Sequence, residues 1–482
     1  MVFEWRMNSY AMGVSPVGSD VPKLLTLNFY LLMTKYFGTD GIRGSYGDAL
    51  MNPDLAYRLG SALGLYIGQG KQGLPLCAVI GRDTRGSGPL LCEALIQGLN
   101  QHGVRVHDAG VVPTPAVARA VLLQGADLGI SVTASHNPAS DNGIKLFNAR
   151  ACKYAESSEL EIEALLEAQL PRSEAAPAPE AIALDAAAAY VEDIRALLPP
   201  NCLDGWKIVL DLANGATYQT TPAAFRHWGG ELHLIGNHPD GANINCGVGS
   251  EHPEQLSAEV REYAAHIGIA HDGDGDRLVV CDDQGKCLEG EVLLALLGID
   301  ALGRDTLKNK TLVTTVHSNL GLDRAIRNAG GRVERVEVGD RNVAARMREL
   351  GSNIGGESSG HVIFSDFATT GDGLLAVVKL IDLICQAGKP LSELRKQVVL
   401  FPQKTLNLNV AHKIPMDQLT HLPRAIAAAS EDLGENGRVL VRYSGTEAKL
   451  RLLVEGQDEA TIEGHMQTLV QAAKAELGII HS

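Results

Sequence analysis

Hydrophobic residues recur along this chain in short unbroken runs that stop at glycine, and these runs alternate with longer helical stretches. Residues 76–80 form one such run, followed by the glycine-bounded turn Gly81-Arg-Asp-Thr-Arg-Gly86, a helical stretch over 89–101 and a second run over 104–107. The order returns at 207–211, where Asn214-Gly215 makes the turn, a helix spans 222–228, Gly229-Gly230 ends it and a strand follows over 231–235. It returns again at 311–315, with a helix over 320–328, a stop at Gly330-Gly331 and a strand over 333–338. Short apolar runs bounded by turn residues read as buried strands, and a helix between two of them makes a βαβ unit with parallel strands. Three copies predict three similar α/β domains with parallel or mixed sheets. Proline and alanine crowd the polar stretch 171–180, which reads as a linker. From residue 403 the pattern changes to short alternating strands and one closing helix over 459–475, which predicts a smaller α+β domain.

Composition narrows the function. The 482 residues suffice for three or four domains at about 100–200 residues each. With 45% hydrophobic and 21% charged residues, the chain can build a large core without disulfide or metal staples. A formal net charge of −15 disfavours nonspecific binding to nucleic acid or to an anionic membrane, so neither is expected as a partner. It also means that an anionic substrate needs a local cationic pocket. The eight cysteines, at 77, 92, 152, 202, 246, 281, 287 and 385, form no Cys-x-x-Cys pair, which fits separate reduced thiols in a cytoplasm. The apolar run within residues 1–32 is too short to span a membrane and lacks a small-residue cleavage site. That segment reads as an extension, with the folded chain expected to start at Met33.

Five motifs carry chemistry. Thr133-Ala-Ser135-His136-Asn137-Pro138, then Asp141-Asn-Gly143-Ile-Lys145, follows an expected strand over 128–132. A serine at such a turn is exposed to partners but needs activation, or a phosphate of its own, to take part in group transfer. Asp272-Gly-Asp274-Gly-Asp276-Arg277 brings three carboxylates to one point, and oxygen ligands select a hard cation, Mg²⁺ or Ca²⁺. An EF-hand fits poorly, because Arg277 and Asp283 stand where that loop needs glycine and glutamate, and a solvated acidic turn is the other alternative. Gly355-Gly-Glu357-Ser358-Ser359-Gly360-His361 offers groups that can read sugar hydroxyls. Arg442-Tyr-Ser444-Gly445-Thr446-Glu447, with Lys449 and Arg451, is a phosphate cradle in outline. Phe37-Gly-Thr-Asp40-Gly41-Ile-Arg43-Gly44 sets an arginine on a glycine-rich loop. Together they describe phosphoryl transfer on a phosphorylated sugar, in a cleft between four domains.

In order and spacing these motifs resemble the α-D-phosphohexomutase family, from about Tyr36 to Gly456. The 37–44 and 356–361 segments look most like its bacterial phosphoglucosamine mutase branch. The resemblance implies an isomerase that interconverts hexosamine 6- and 1-phosphates through a phosphoserine, primed by a hexose 1,6-bisphosphate. It implies a phosphoserine domain at 33–180, a metal-binding domain at 181–289, a sugar-binding domain at 290–402 and a phosphate-binding domain at 403–482. The resemblance further implies that Ser135 carries the phosphate and, with Asp272, Asp274 and Asp276, holds Mg²⁺. Arg43, His136, Lys145 and Arg277 surround the transferred group, with Lys145 as general base if nearby cations lower its pKa. Glu357 and Ser359 contact the sugar, while Arg442, Ser444, Gly445, Thr446 and Arg451 hold the idle phosphate. A monomer or homodimer is expected. A phosphomannomutase or phosphoglucomutase, a sugar phosphatase, and a noncatalytic sugar-phosphate binder are the alternatives.

Overall fold

The structure is a computed structural model that describes residues 34–71, 73–172, 178–444 and 448–479. The expected extension, 1–32, lies outside the described residues.

Three sheets repeat one topology. In the first, Leu76–Arg82 is central, Val104–Val111 pairs parallel on one side, Leu128–Val132 pairs parallel on the other, and Asp141–Asn148 runs antiparallel beyond it. In the second the same places are taken by Lys207–Asp211, Glu231–Ile235, Ile267–His271 and Leu278–Cys281. In the third they are taken by Thr311–Thr315, Arg332–Val336, Ile354–Gly356 and Val362–Phe364. The central and third strands are almost wholly buried because helices cover both faces, whereas the outer strands Val104–Val111, Glu231–Ile235 and Arg332–Val336 carry charged residues and are partly exposed. The first sheet gains two edges: Ile42–Ser45 pairs antiparallel with Asp141–Asn148, and Ile182–Ala183 pairs with Val104–Val111. Residues 182–183, expected in the second domain, therefore complete the first sheet.

The repeat decides where the chemistry sits. In each unit the third strand must reverse into the fourth, and that connection carries a motif: Ser135 in the first, the aspartates in the second, Glu357 in the third. One apolar cluster runs without a break through all three units, from Val79 through Phe225 and Ile269 to Leu312 and Leu374. It fixes the three connections relative to one another. Helix Ala186–Arg195 joins the units, with Tyr190 donating to Asp372, the N-cap of helix Gly373–Ala387, at 2.7 Å.

Beyond residue 402 a three-stranded antiparallel sheet of Gln403–Asn409, Lys449–Glu455 and Arg438–Tyr443 packs against helices His421–Leu433 and Glu459–Glu476. It has its own apolar cluster, around Leu450, Leu452, Val454 and Met466. Polar bonds tie it to the third unit: Arg438 donates to the carbonyls of Val316 and Ser318 at 2.7 and 2.6 Å, and Asn319 Nδ2 donates to Gln403 Oε1 at 3.3 Å.

Two of the thiols are neighbours: the turn between Cys281 and Cys287 folds the chain back and pairs the two residues across an isolated antiparallel bridge, with their Cα atoms 3.8 Å apart. No helix among the described residues is long and apolar enough to cross a membrane.

Candidate active site

The nucleophile loop is held from below. The Thr133 hydroxyl accepts from the amide of Ser135 at 2.9 Å, and Ser135 adopts a φ of 54°. A non-glycine residue in this left-handed region costs about 1–3 kcal/mol and persists only where its surroundings fix it. Here the fixing group is Arg85. Its guanidinium donates to the carbonyls of Ser135 at 3.1 Å, Asn137 at 2.8 Å and Asp141 at 2.9 Å, and also to that of Pro138. Arg85 is itself buried and paired with buried Asp83 at 2.9 Å. Asn245 of the second unit adds bonds to the carbonyls of Ser135 and Asn137 at 2.9 and 3.0 Å.

So fixed, the Ser135 hydroxyl donates to Asp272 Oδ2 at 2.5 Å and lies 3.3 Å from His136 Nδ1. Asp272, Asp274 and Asp276 are buried and offer oxygens within 4.8 Å of one another. Oδ1 of Asp274 and Oδ1 of Asp276 are buried without a hydrogen-bond partner. Burial, and then the other two aspartates, push Asp272 up to about 8. Three converging carboxylates with orphaned oxygens suit a hard cation, so the residues present fit a metal.

Lys145 answers part of this charge. Its ammonium lies 2.8 Å from Asp274 Oδ2, 2.8 Å from Asp276 Oδ2 and 3.2 Å from Asp40 Oδ2. Burial opposes its charge, but the three carboxylates outweigh it and hold Lys145 well above the usual lysine range. The expected depression by nearby cations is not met, since carboxylates dominate its surroundings. His136 moves the other way: burial and then Arg277 lower it, which favours the neutral imidazole.

Above the loop opens a cavity of about 480 Å³. One wall presents Arg43, Ser135, His136 and Arg277; the third unit closes the other with Gly339, Asp340, Glu357 and His361. Glu357 accepts from the amide of Gly339 at 3.0 Å, while Ser358 and Ser359 are exposed and do not line the cavity. Ser359, expected to contact the sugar, therefore lies outside the cavity lining. The cavity is lined by three units rather than the expected four. Arg442 bonds His317 Nε2 of the third unit through Nε and Nη2, at 3.0 and 2.8 Å. Neither it, Ser444 nor Arg451 lines the cavity. Gly445 and Thr446 lie outside the described residues.

Comparison with known proteins agrees with this layout. The phosphoglucomutase/phosphomannomutase alpha/beta/alpha domains I, II and III match residues 34–172, 188–285 and 289–400, and the C-terminal domain matches 406–472. The chain belongs to the phosphoglucomutase/phosphomannomutase family. A phosphoglucosamine mutase of Syntrophotalea carbinolica is 42% identical over 450 residues, spanning 92% of this chain and 98% of the relative. One from Caulobacter vibrioides is 43% identical over 444 residues, spanning 91% and 99%. Among solved structures, a family protein of Burkholderia thailandensis superposes with a TM-score of 0.77 at 27% identity, covering 93% of this chain and 100% of that one. An Aspergillus fumigatus N-acetylphosphoglucosamine mutase shares the fold, with a TM-score of 0.61 at 17% identity over 91% of this chain and 95% of that one.

Within this family frame, several residues at the site carry no motif of their own. Arg85 and Asp83 lie in the turn Gly81-Arg-Asp-Thr-Arg-Gly86, where opposite charges between glycines after a buried strand are the one signal the sequence offers. Lys153 bridges Asp40 of the first unit and Asp340 of the third. Lys153, Asn245 and Asp340 gain their roles only by contact between units, and nothing local marks them.

Proposed function

We propose that this family member is an isomerase that interconverts glucosamine 6-phosphate and glucosamine 1-phosphate through phosphorylated Ser135 and a 1,6-bisphosphate. The observation that carries the reading is the Ser135 hydroxyl, 2.5 Å from Asp272 at the carboxylate triad and open to a cavity with arginines on one wall. The names of the full-length relatives support the hexosamine substrate.

Mg²⁺ held by Asp272, Asp274, Asp276 and an oxygen of phospho-Ser135 would neutralise charge on the transferred group. The chain's own residues do the rest. Arg85 and Asn245 aim the Ser135 oxygen into the cavity. Arg43, Arg277 and the charged Lys145 stand around the phosphoryl group, where fixed cations stabilise its spread negative charge. The sugar O1 forms the new P–O bond as the bond to Ser135 Oγ breaks, and the hydroxyl proton passes to neutral His136. Glu357 accepts from sugar hydroxyls. The C-terminal domain supplies Arg442, Ser444, Gly445, Thr446 and Arg451 to the idle phosphate by closing over the cavity, which also excludes water. The 6-phosphate then returns to Ser135 by the reverse chemistry.

The test is a coupled assay for glucosamine 1-phosphate, primed with glucose 1,6-bisphosphate and Mg²⁺, with peptide mass spectrometry of the resting protein. Turnover with phosphate on Ser135, and none in Ser135→Ala, is expected. Release of free phosphate without isomerisation would identify a phosphatase, and higher kcat/KM on mannose 6-phosphate a phosphomannomutase.

A further inference from the structure

The cavity is divided in charge. Its first wall is cationic where the phosphoryl group reacts. Its far wall, from the third unit, carries two carboxylates, Asp340 and Glu357. Four carboxylates line the space in all, and their partners differ. Asp40 meets three cations, Arg43, Lys145 and Lys153. Asp276 meets Lys145 at 2.8 Å and belongs to the triad. Glu357 holds the amide of Gly339 at 3.0 Å. Asp340 meets one ammonium, that of Lys153, which it shares with Asp40.

The backbone puts Asp340 there deliberately. Gly339 takes a φ of 126°, which a side chain would resist, and turns the chain so that Asp340 opens helix Asp340–Leu350 at the cavity. A carboxylate in the first turn of a helix is favoured by the unsatisfied amides there. Asp340 Oδ1 accepts from the amide of Arg341 at 2.8 Å, and Oδ2 faces Lys153. Burial opposes its charge, but Lys153 outweighs burial and Asp340 stays below the usual carboxylate range.

A second feature of this wall points to a ligand. His361 is 3% exposed, lines the cavity, and makes no hydrogen bond through either ring nitrogen. Its Nε2 stands 3.5 Å from Asp340 Oδ2, outside hydrogen-bond geometry. A buried polar ring with both nitrogens unbonded is costly unless an occupant supplies a partner. The wall is thus short of hydrogen-bond partners and in surplus of negative charge. A neutral hexose ring answers the first need only, whereas a ring bearing an ammonium answers both.

We propose that Asp340 determines specificity by pairing with the 2-ammonium group of the hexosamine phosphate. The inference rests on the hexosamine reading above. Phosphate at one end and ammonium on the ring give the substrate the same division of charge as the cavity, in reverse. Glu357 reads hydroxyls that glucose and glucosamine share, so it cannot tell them apart. Asp340 can, because a charge-assisted bond to a desolvated carboxylate is lost when the ammonium becomes a hydroxyl.

The experiment compares kcat/KM for glucosamine and glucose phosphates, in both directions, on the full chain primed with glucose 1,6-bisphosphate. Asp340→Asn keeps the shape of the side chain and removes its charge. The ratio favouring glucosamine should fall about ten- to a hundredfold in at least one direction. Lys153→Gln removes the same ion pair but leaves the carboxylate, so its ratio should hold or rise even if both rates drop. An unchanged ratio in Asp340→Asn overturns the inference, as does an equal fall in Lys153→Gln, which would trace the effect to the junction between units. Failure of the wild-type protein to turn over glucosamine phosphates would instead overturn the proposed function, a distinct result.

Discussion

Arg85 shows how much one side chain can hold. It is fully buried, paired with Asp83, and bonded to four carbonyls of the nucleophile loop. Removing one partner of a buried ion pair strands the other, which costs about 3–5 kcal/mol. Arg85→Ala should therefore lower the thermal midpoint by several degrees and abolish phosphate on Ser135. Arg85→Lys keeps the charge but not the planar fork, and cannot reach four carbonyls at once. It should recover part of the stability, by thermal melt, and little of the phosphorylation, by intact mass. A lysine variant phosphorylated like the wild type would show that the loop holds its own shape.

At the scale of elements, the nucleophile and metal loops touch so closely that glycine is required between them. A Cβ on Gly273 would stand 2.5 Å from the carbonyl oxygen of Ser135 and 2.9 Å from Asn245 Nδ2. Neither neighbour can yield without loosening the loop. Gly273→Ala should cost about 1–3 kcal/mol in denaturant titration and reduce Ser135 phosphorylation, with the aspartates intact. Asp274→Asn tests the loop's other task. It removes one anionic ligand, so Mg²⁺ affinity by calorimetry should fall tenfold or more, whatever happens to turnover. The same closeness explains what the sequence could disclose. Ser135 beside His136 and the alternating aspartates are local patterns whose chemistry follows from spacing within one loop, and the strands that carry them read as short apolar runs. Asn245, Asp340 and His317 stand in ordinary polar stretches. Their parts depend on which unit packs beside them, and no periodicity encodes that. Ser359 is the opposite case: its motif is local, but the residue is exposed and lies outside the cavity lining.

Across the whole molecule, the link between the third unit and the last domain is sensitive to acid. His317 accepts from Arg442 at 2.8 Å, and burial, then Arg442, Arg438 and Arg451, lower it to about 4. An ordinary histidine titrates near 6.5, so between about pH 6.5 and 4 the unfolded chain binds a proton that the folded chain refuses. The contribution of this group is present above 6.5 and is lost as pH falls through 4. His317→Gln can still accept from Arg442 but does not titrate there. The difference in thermal midpoint between the two proteins should shift in favour of the glutamine variant as pH drops across that window. A constant difference from pH 7 to 4 would show that His317 is not coupled to folding.

The continuity of the apolar cluster through three units, and its absence from the fourth, determines how the molecule comes apart. Three sheets joined by one apolar cluster should melt together, because separating any of them exposes part of it. The last domain keeps its own interior and is moored through main-chain carbonyls and arginines, bonds that water can replace. Denaturant should release it as a separate cooperative step. Spectroscopy can see this without a label, since Trp5, Trp206 and Trp228 all precede residue 403. Indole fluorescence is blind to the last domain, whereas far-ultraviolet circular dichroism registers its helices. The two signals should trace different transitions, and coincident curves would mean that the four domains unfold as one.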